Sequence, residues 1–187
     1  MLYLASQSSR RAELLSQIGV LFQKLDINVD ESLLVGEQAK DYVLRLARAK
    51  SAQGWQQSAQ NWPVLGADTI VVMGEQVLGK PQDHDDARKM LSLLSGNTHQ
   101  VYTAIALTTA QGQVHTVVNT TVTFGNISLQ QIDDYWASGE PQDKAGSYGI
   151  QGLGGQFVKH INGSYSAVVG LPLYETRQLL NQIGHQQ

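Results

Sequence analysis

The run Val64–Met73 is almost entirely apolar and rich in β-branched side chains, yet it carries a carboxylate, Asp68, in its middle. Such a run reads as a central strand covered on both faces. It is far shorter than the roughly 20 residues a membrane span needs. An aspartate inside it costs several kcal/mol unless it is paired or bound to a cation. The chain must therefore bring a metal, a basic side chain or a transferable proton to Asp68. An ordinary structural use, a hydrogen-bonding Asp where the strand leaves the core, competes with a functional one on these residues alone.

The rest of the chain alternates strands and helices around that run. Leu2 to Ala5 predicts a short buried strand, and Ser8 or Ser9 then caps a helix through Ile18, stopped by Gly19. Phe22 to Ile27 predicts a second strand, and 28–36 a loop. Tyr42, Val43, Leu46 and Ala47 give helical spacing over Glu37 to about Ser51, with Gly54 beyond and a polar connection over 53–61. Gly74-Glu75-Gln76 signals a turn into a short strand ending at Gly79-Lys80-Pro81. Asp83–Leu94 and Ser128–Ala137 predict helices. His99–Thr109 and Val114–Phe124 predict strands joined at Gln111-Gly112-Gln113. Phe157–Ile161 predicts a strand and Leu173–Ile183 a closing helix. Hairpins among the crossovers indicate an α/β protein with a mixed sheet, in preference to a doubly wound parallel one.

Composition narrows the classes of function. The 187 residues contain 0 cysteines, so disulfides, thiolate metal sites and cysteine nucleophiles are excluded. Hydrophobic residues make up 42% and charged residues 16%, as in an ordinary globular chain. A formal charge of -3 supplies no basic field for nucleic acid, though local Arg and Lys clusters still suit a small anion. The opening Met1-Leu-Tyr-Leu-Ala-Ser lacks a basic n-region, so no signal peptide is expected. The absence of cysteine is compatible with a reducing cytoplasm, and these readings point to no nucleic-acid or membrane partner.

Several further features offer chemistry. Ala5-Ser-Gln-Ser-Ser-Arg-Arg11 follows a strand and opens a helix, where free N–H groups and two arginines attract phosphate. Lys80 stands on a loop stiffened by Pro81, suited to a point charge. Asp30-Glu31 offers oxygen ligands for magnesium or manganese, and Arg45, Arg48 and Lys50 follow on the next helix. The glycine-rich stretch through Tyr148-Gly-Ile-Gln151-Gly152 allows close backbone approach to a ligand, with Gln151 placed to read a base edge. Each feature taken singly also has a bland use: a capped helix, a surface lysine, an acidic loop, a structural loop. The chain has no Gly-x-x-x-x-Gly-Lys-Ser/Thr loop, Gly-x-Ser-x-Gly elbow or His-Glu-x-x-His.

In order along nearly the whole chain, Ala5-Ser-Gln-Ser-Ser-Arg-Arg, Gly66-Ala-Asp-Thr, Gly79-Lys-Pro and Tyr148-Gly-Ile-Gln-Gly resemble the motifs of the Maf family. Asp143-Lys-Ala-Gly, Asn162-Gly-Ser-Tyr and Val169-Gly-Leu-Pro strengthen the likeness, which is closest to the bacterial dTTP/UTP pyrophosphatase branch. The resemblance implies one Maf-like domain over residues 1–187. It implies an elongated mixed sheet flanked by helices, two lobes around a central nucleotide cleft, and a likeness to inosine triphosphate pyrophosphatases. It also implies cytoplasmic hydrolysis of a nucleoside triphosphate to the monophosphate and pyrophosphate with a divalent metal (magnesium, manganese or cobalt), and a homodimer whose interface the sequence does not mark.

By position, Asp68 matches the family's general base. Arg10, Thr69 and Gln151 match positions associated with substrate choice, and Ser6, Arg11, Glu31, Lys50 and Lys80 match polar positions of the cleft. The sister branch, linked to 7-methyl-GTP, differs at Thr69 and Gln151, so the residues here favour a pyrimidine. The family usually has proline where this chain has Ser9, which leaves φ at that helix start less firmly fixed. The expected mechanism is attack of a water, activated by Asp68, on the α-phosphorus. Metal held by Glu31 and Asp68 assists, and Ser6, Arg11, Lys50 and Lys80 bind the substrate. The rival expectation is a nucleotide-binding regulator of cell division or septum formation that does not hydrolyse its ligand.

Overall fold

The computed structural model describes residues 1–184. Along the chain run β1 (Leu2–Ala5), α1 (Ser9–Gln17), β2 (Phe22–Leu25), α2 (Ala39–Gln57), β3 (Val64–Met73) and β4 (Gln76–Leu78). They continue with α3 (His84–Leu94), β5 (Thr98–Thr109), β6 (Gly112–Phe124), α4 (Leu129–Ala137), β7 (Val158–Asn162), α5 (Tyr165–Val169) and α6 (Leu173–Gln182). The strands form a seven-stranded sheet in the order β2-β1-β3-β5-β6-β7, with β4 on β3. β1 is parallel to β2 and β3, whereas β3–β4 and β6–β7 are antiparallel, so the sheet is mixed as the hairpin signals predict. No described helix is long and apolar enough to cross a membrane.

The chain forms two compact units. The first comprises Met1–Asp68, Thr103–Val118 and Gly170–Gln187. All four residues of β1 are buried, as suits a strand paired on both sides. Tyr3, Ala5 and Val64 pack with Leu25, Trp55 and Trp62. β2 stops at Leu25, short of the predicted Ile27, because its partner β1 ends at Ala5, the residue in register with Leu25.

α2 also departs from expectation. It runs on through Gly54 to Gln57, across the stretch read as a polar connection. Gly54 is no stop: a Cβ there would lie 2.7 Å from Val64 Cγ1 and 3.1 Å from Ala5 Cβ. The glycine lets the helix lie against the sheet, a packing requirement that helix propensity does not encode.

The second unit comprises Thr69–Tyr102 and Asn119–Val169. Its core gathers Val71, Leu91, Leu94, Phe124, Ile132 and Tyr148. Asp83 caps α3, and Ser128 caps α4 in a capping box with Gln131. Between α4 and β7 lie three short 3-10 turns, Glu140–Asp143, Ala145–Ser147 and Leu153–Phe157, which the sequence pattern does not reveal.

Candidate active site

The first unit places Asp68 near the middle of β3, 8% exposed. The lysine that meets it comes from α2: Lys50 Nζ donates to Asp68 Oδ1 at 2.7 Å. The same ammonium lies 2.6 Å from Glu31 Oε1. One cation thus bridges a buried and an exposed carboxylate, which answers the demand that the buried Asp68 imposes. Gly66 makes the meeting geometrically possible. A Cβ at Gly66 would overlap the Ala47 carbonyl oxygen and lie 2.5 Å from Ser51 N, so only glycine lets α2 approach β3 this closely.

Glu31 is held by its own backbone as well. Tyr42 Oη donates to the Glu31 carbonyl at 2.7 Å, and Arg45 Nη2 donates to the Ser32 carbonyl at 2.8 Å. Arg45 in turn forms a two-pronged pair with Glu37 at 2.6 and 2.8 Å. Burial, then the charges of Asp68 and Glu31, raise the Tyr42 hydroxyl above its ordinary pKa, so it stays a donor. Asp30, beside Glu31 in sequence, engages its own loop. It accepts Ser32 N at 2.9 Å and Ser32 Oγ at 2.6 Å, and these bonds hold its carboxyl below the usual range.

At the start of α1, Ser8 is the cap that accepts Arg11 N, and Ser9 takes the first helical position. Arg11 folds back on its own loop: Nη1 donates to Ser6 Oγ at 3.1 Å and Nε to the Gly170 carbonyl at 2.8 Å. Burial lowers the Arg11 pKa, Asp68 opposes this, and Arg10 adds to the lowering. Arg11 therefore lies within the field of Asp68, Arg10 and Glu31 together. Of the residues singled out by sequence, the first unit brings Ser6 to Arg11, and Glu31 and Asp68 to Lys50.

Arg10 also lies in the first unit, half-buried on α1, and the second unit holds the remaining three. Thr69 follows Asp68 on β3 and is half-buried, while Lys80 and Gln151 are exposed. Gly79 accepts Gly146 N at 3.0 Å through its carbonyl, and a Cβ there would meet nothing within 4 Å. The inner glycines of the Gln151 loop have a use other than the one expected. They admit Glu140 and Tyr135, whose hydrogen bonds secure the loop from within. The loop opens on Tyr148, which is buried with Oη 2.8 Å from His99 Nε2.

Sequence reasoning did not single out Tyr42, Tyr135, Glu140 or His99. Tyr42 reads as one more apolar-face residue of its helix. A Glu directly before Pro141, ahead of Asp143-Lys-Ala-Gly, was the one available signal for Glu140.

The described residues contain no group of three His, Cys, Asp or Glu side chains suited to a metal. The bridged pair nevertheless fits a hard cation, since carboxylate oxygens of Glu31 and Asp68 converge on one positive centre. Magnesium typically takes one or two carboxylates and completes its shell with water and phosphate oxygens.

A family model described as Maf-like protein matches residues 1–183. The dTTP/UTP pyrophosphatase of Pseudoalteromonas atlantica is 59% identical over 186 residues, 98% of this chain and 97% of that protein. A protein of Shigella flexneri named nucleoside triphosphate pyrophosphatase is 55% identical over 180 residues, 96% of this chain and 91% of that one. Among solved structures, a nucleoside-triphosphatase / dITP/XTP pyrophosphatase of Mycobacterium abscessus has a similar fold. Its TM-score is 0.51 at 16% identity, covering 97% of this chain and 93% of that one.

Proposed function

Because this chain belongs to the Maf family, we propose that it hydrolyses dTTP and UTP to the monophosphate and pyrophosphate. The observation that carries this reading is the bridge from Lys50 to Glu31 and the buried Asp68. Pyrophosphatase names on relatives identical at more than half of their positions support the reaction class.

Asp68 serves as the base. It takes a proton from a water, whose oxygen attacks the α-phosphorus. The bond from that phosphorus to the bridging oxygen breaks, and pyrophosphate leaves with the electron pair. Lys50 keeps the Asp68 carboxylate oriented. Arg10, Arg11 and Lys80 spread the charge that develops on the phosphates, and Ser6 holds Arg11 in place for this. Thr69, Gln151 and Arg10 select the nucleotide. The Gln151 amide offers one donor and one acceptor, which match the N3–H and O4 edge of uracil or thymine. Glu31 and Asp68 would hold a divalent metal (magnesium, manganese or cobalt), which when bound supplies neutralising charge to the triphosphate oxygens. The reaction takes place in the cytoplasm within one domain, and the family likeness carries with it a homodimer.

Pyrophosphate release from a panel of nucleoside triphosphates, with and without magnesium or manganese, tests the reading. Metal-dependent release from dTTP and UTP is expected, and Asp68→Asn lowers it by roughly 100-fold to 10,000-fold. Near-normal turnover in that variant removes Asp68 as the base. No release from any nucleotide favours a binding regulator without turnover.

A further inference from the structure

Gln151 stands in a loop whose flanking glycines, Gly149 and Gly152, lie against the Glu140 carboxylate. Glu140 follows the left-handed Gly139 (φ 78°) and opens a 3-10 turn. Its Oε1 accepts the Tyr135 hydroxyl at 2.7 Å and Gly154 N–H at 3.0 Å, and its Oε2 accepts Leu153 N–H at 2.8 Å. Tyr135, 3% exposed on α4, accepts the Gly149 N–H at 3.0 Å through the same oxygen that donates to Glu140. The loop is therefore pinned on both sides of Gln151, at 149 and at 153–154.

The glycines are there for the pin. A Cβ at Gly152 would overlap the Glu140 carboxylate, and one at Gly154 would lie 2.5 Å from Tyr135 Oη. Neither glycine has a positive φ, so close approach and not backbone conformation excludes a side chain. A side-chain amide reads a base by one donor and one acceptor, and a loop free to shift by an ångström loses that alignment.

We propose that Glu140 and Tyr135 are the positioning pair that gives this enzyme its base selectivity, acting through the loop they pin and without touching the nucleotide. The proposal rests on the reading of Gln151 as the residue that meets the base.

The test compares wild type, Glu140→Gln, Tyr135→Phe and Gln151→Ala for kcat/KM on UTP, dTTP, CTP and GTP. Amide hydrogen exchange over residues 148–156 is followed in parallel. Gln151→Ala is expected to lower the preference for UTP over CTP. Glu140→Gln turns an amide N–H toward the loop donors, and is expected to lower that preference about tenfold and speed exchange in the loop. Tyr135→Phe removes only a hydroxyl and is expected to do the same to a lesser degree, so it carries the test if Glu140→Gln fails to fold. An unchanged preference in both variants, alongside a lowered one in Gln151→Ala, overturns the pinning role. Equal losses on every nucleotide show a merely structural role and overturn it too. If Gln151→Ala leaves the preference unchanged, base reading at Gln151 fails first, and that single variant tells the two failures apart.

Discussion

Asp68 and Glu140 are both shielded carboxylates, one on the central strand of the first unit and one under a loop of the second, and their partners differ in kind. Asp68 takes an ammonium that it shares with Glu31. Glu140 takes two backbone N–H groups and a phenol. A lysine on a flexible stem can exchange one anion for another when a phosphate, a metal or a proton arrives. Backbone donors fixed in a 3-10 turn cannot. Burial works against the charge on Glu140, yet its hydrogen bonds outweigh that and hold its carboxyl below the usual range. The same functional group, a carboxylate, is thus left with an exchangeable partner in one place and committed to scaffolding in the other. The kind of donor decides which.

The sharpest way to break the comparison is to separate α2 from β3. Gly66→Ala drives a methyl into the backbone of α2, and the expected cost is about 3 kcal/mol, at the upper end for overpacking. Activity should fall with it, because Lys50 moves away from Asp68. Urea denaturation measures the first effect and pyrophosphate release the second. A fully stable and active Gly66→Ala would show that α2 yields easily and that its close approach does not set the site.

Removing the shared cation tests the ionic side directly. Lys50→Met leaves Asp68 buried without its counter-charge, and the expected loss of stability is about 3 kcal/mol. Adding Asp68→Asn to Lys50→Met should recover part of that loss, since no unpaired charge remains. If the double variant is as unstable as the sum of the singles, the two residues do not depend on each other for stability.

The neutral side of the comparison has its own signature, in pH. His99, 1% exposed beside Tyr148, has its pKa pushed down by burial from 6.5 to about 4. Its Nδ1 is buried without a hydrogen-bond partner, so protonation gains no acceptor there. The unfolded chain therefore binds this proton more readily than the folded one. Stability from His99 is fully present above pH 6.5 and is lost as pH falls toward 4. Between pH 7.5 and pH 4.5 the loss should be roughly 2–3 kcal/mol. His99→Gln, which keeps a polar group for Tyr148, should flatten that slope in denaturation curves. An equal slope in both proteins would assign the acid sensitivity to other groups.

Much of the fold was legible because local signals agreed with it. The β-branched run gave β3, the Ser8-Ser9 pair, Asp83 and Ser128 gave their helix starts, and the turn at Gly74 gave the β3–β4 hairpin. What failed depended on distant partners. The end of β2 is set by where β1 stops, and Gly54 lies inside a helix because Val64 and Ala5 press on it. At the site, the oddity of Asp68 in an apolar strand was readable, but its meeting with Lys50 and Glu31 was not. Nothing in their spacing foretold it, and family likeness alone placed them together. Glycine density near Gln151 was read as room for a ligand, whereas the structure fills that room with Glu140 and Tyr135.

The smallest effect concerns the loop that carries Glu31, where the ionic region borrows a neutral fastening. Tyr42→Phe removes the hydroxyl that donates to the Glu31 carbonyl and leaves the ring beside Arg45, whose guanidinium carbon lies 5.5 Å from its centre. One neutral hydrogen bond contributes about 1 kcal/mol, so residues 28–36 should exchange their amide hydrogens severalfold faster while global stability barely moves. If Glu31 helps to hold a metal, the manganese concentration that half-saturates binding should rise by a similar factor, readable by calorimetry without any turnover. Faster exchange with unchanged manganese binding would mean that Lys50 and Arg45 suffice to place Glu31 without the tyrosine hydroxyl.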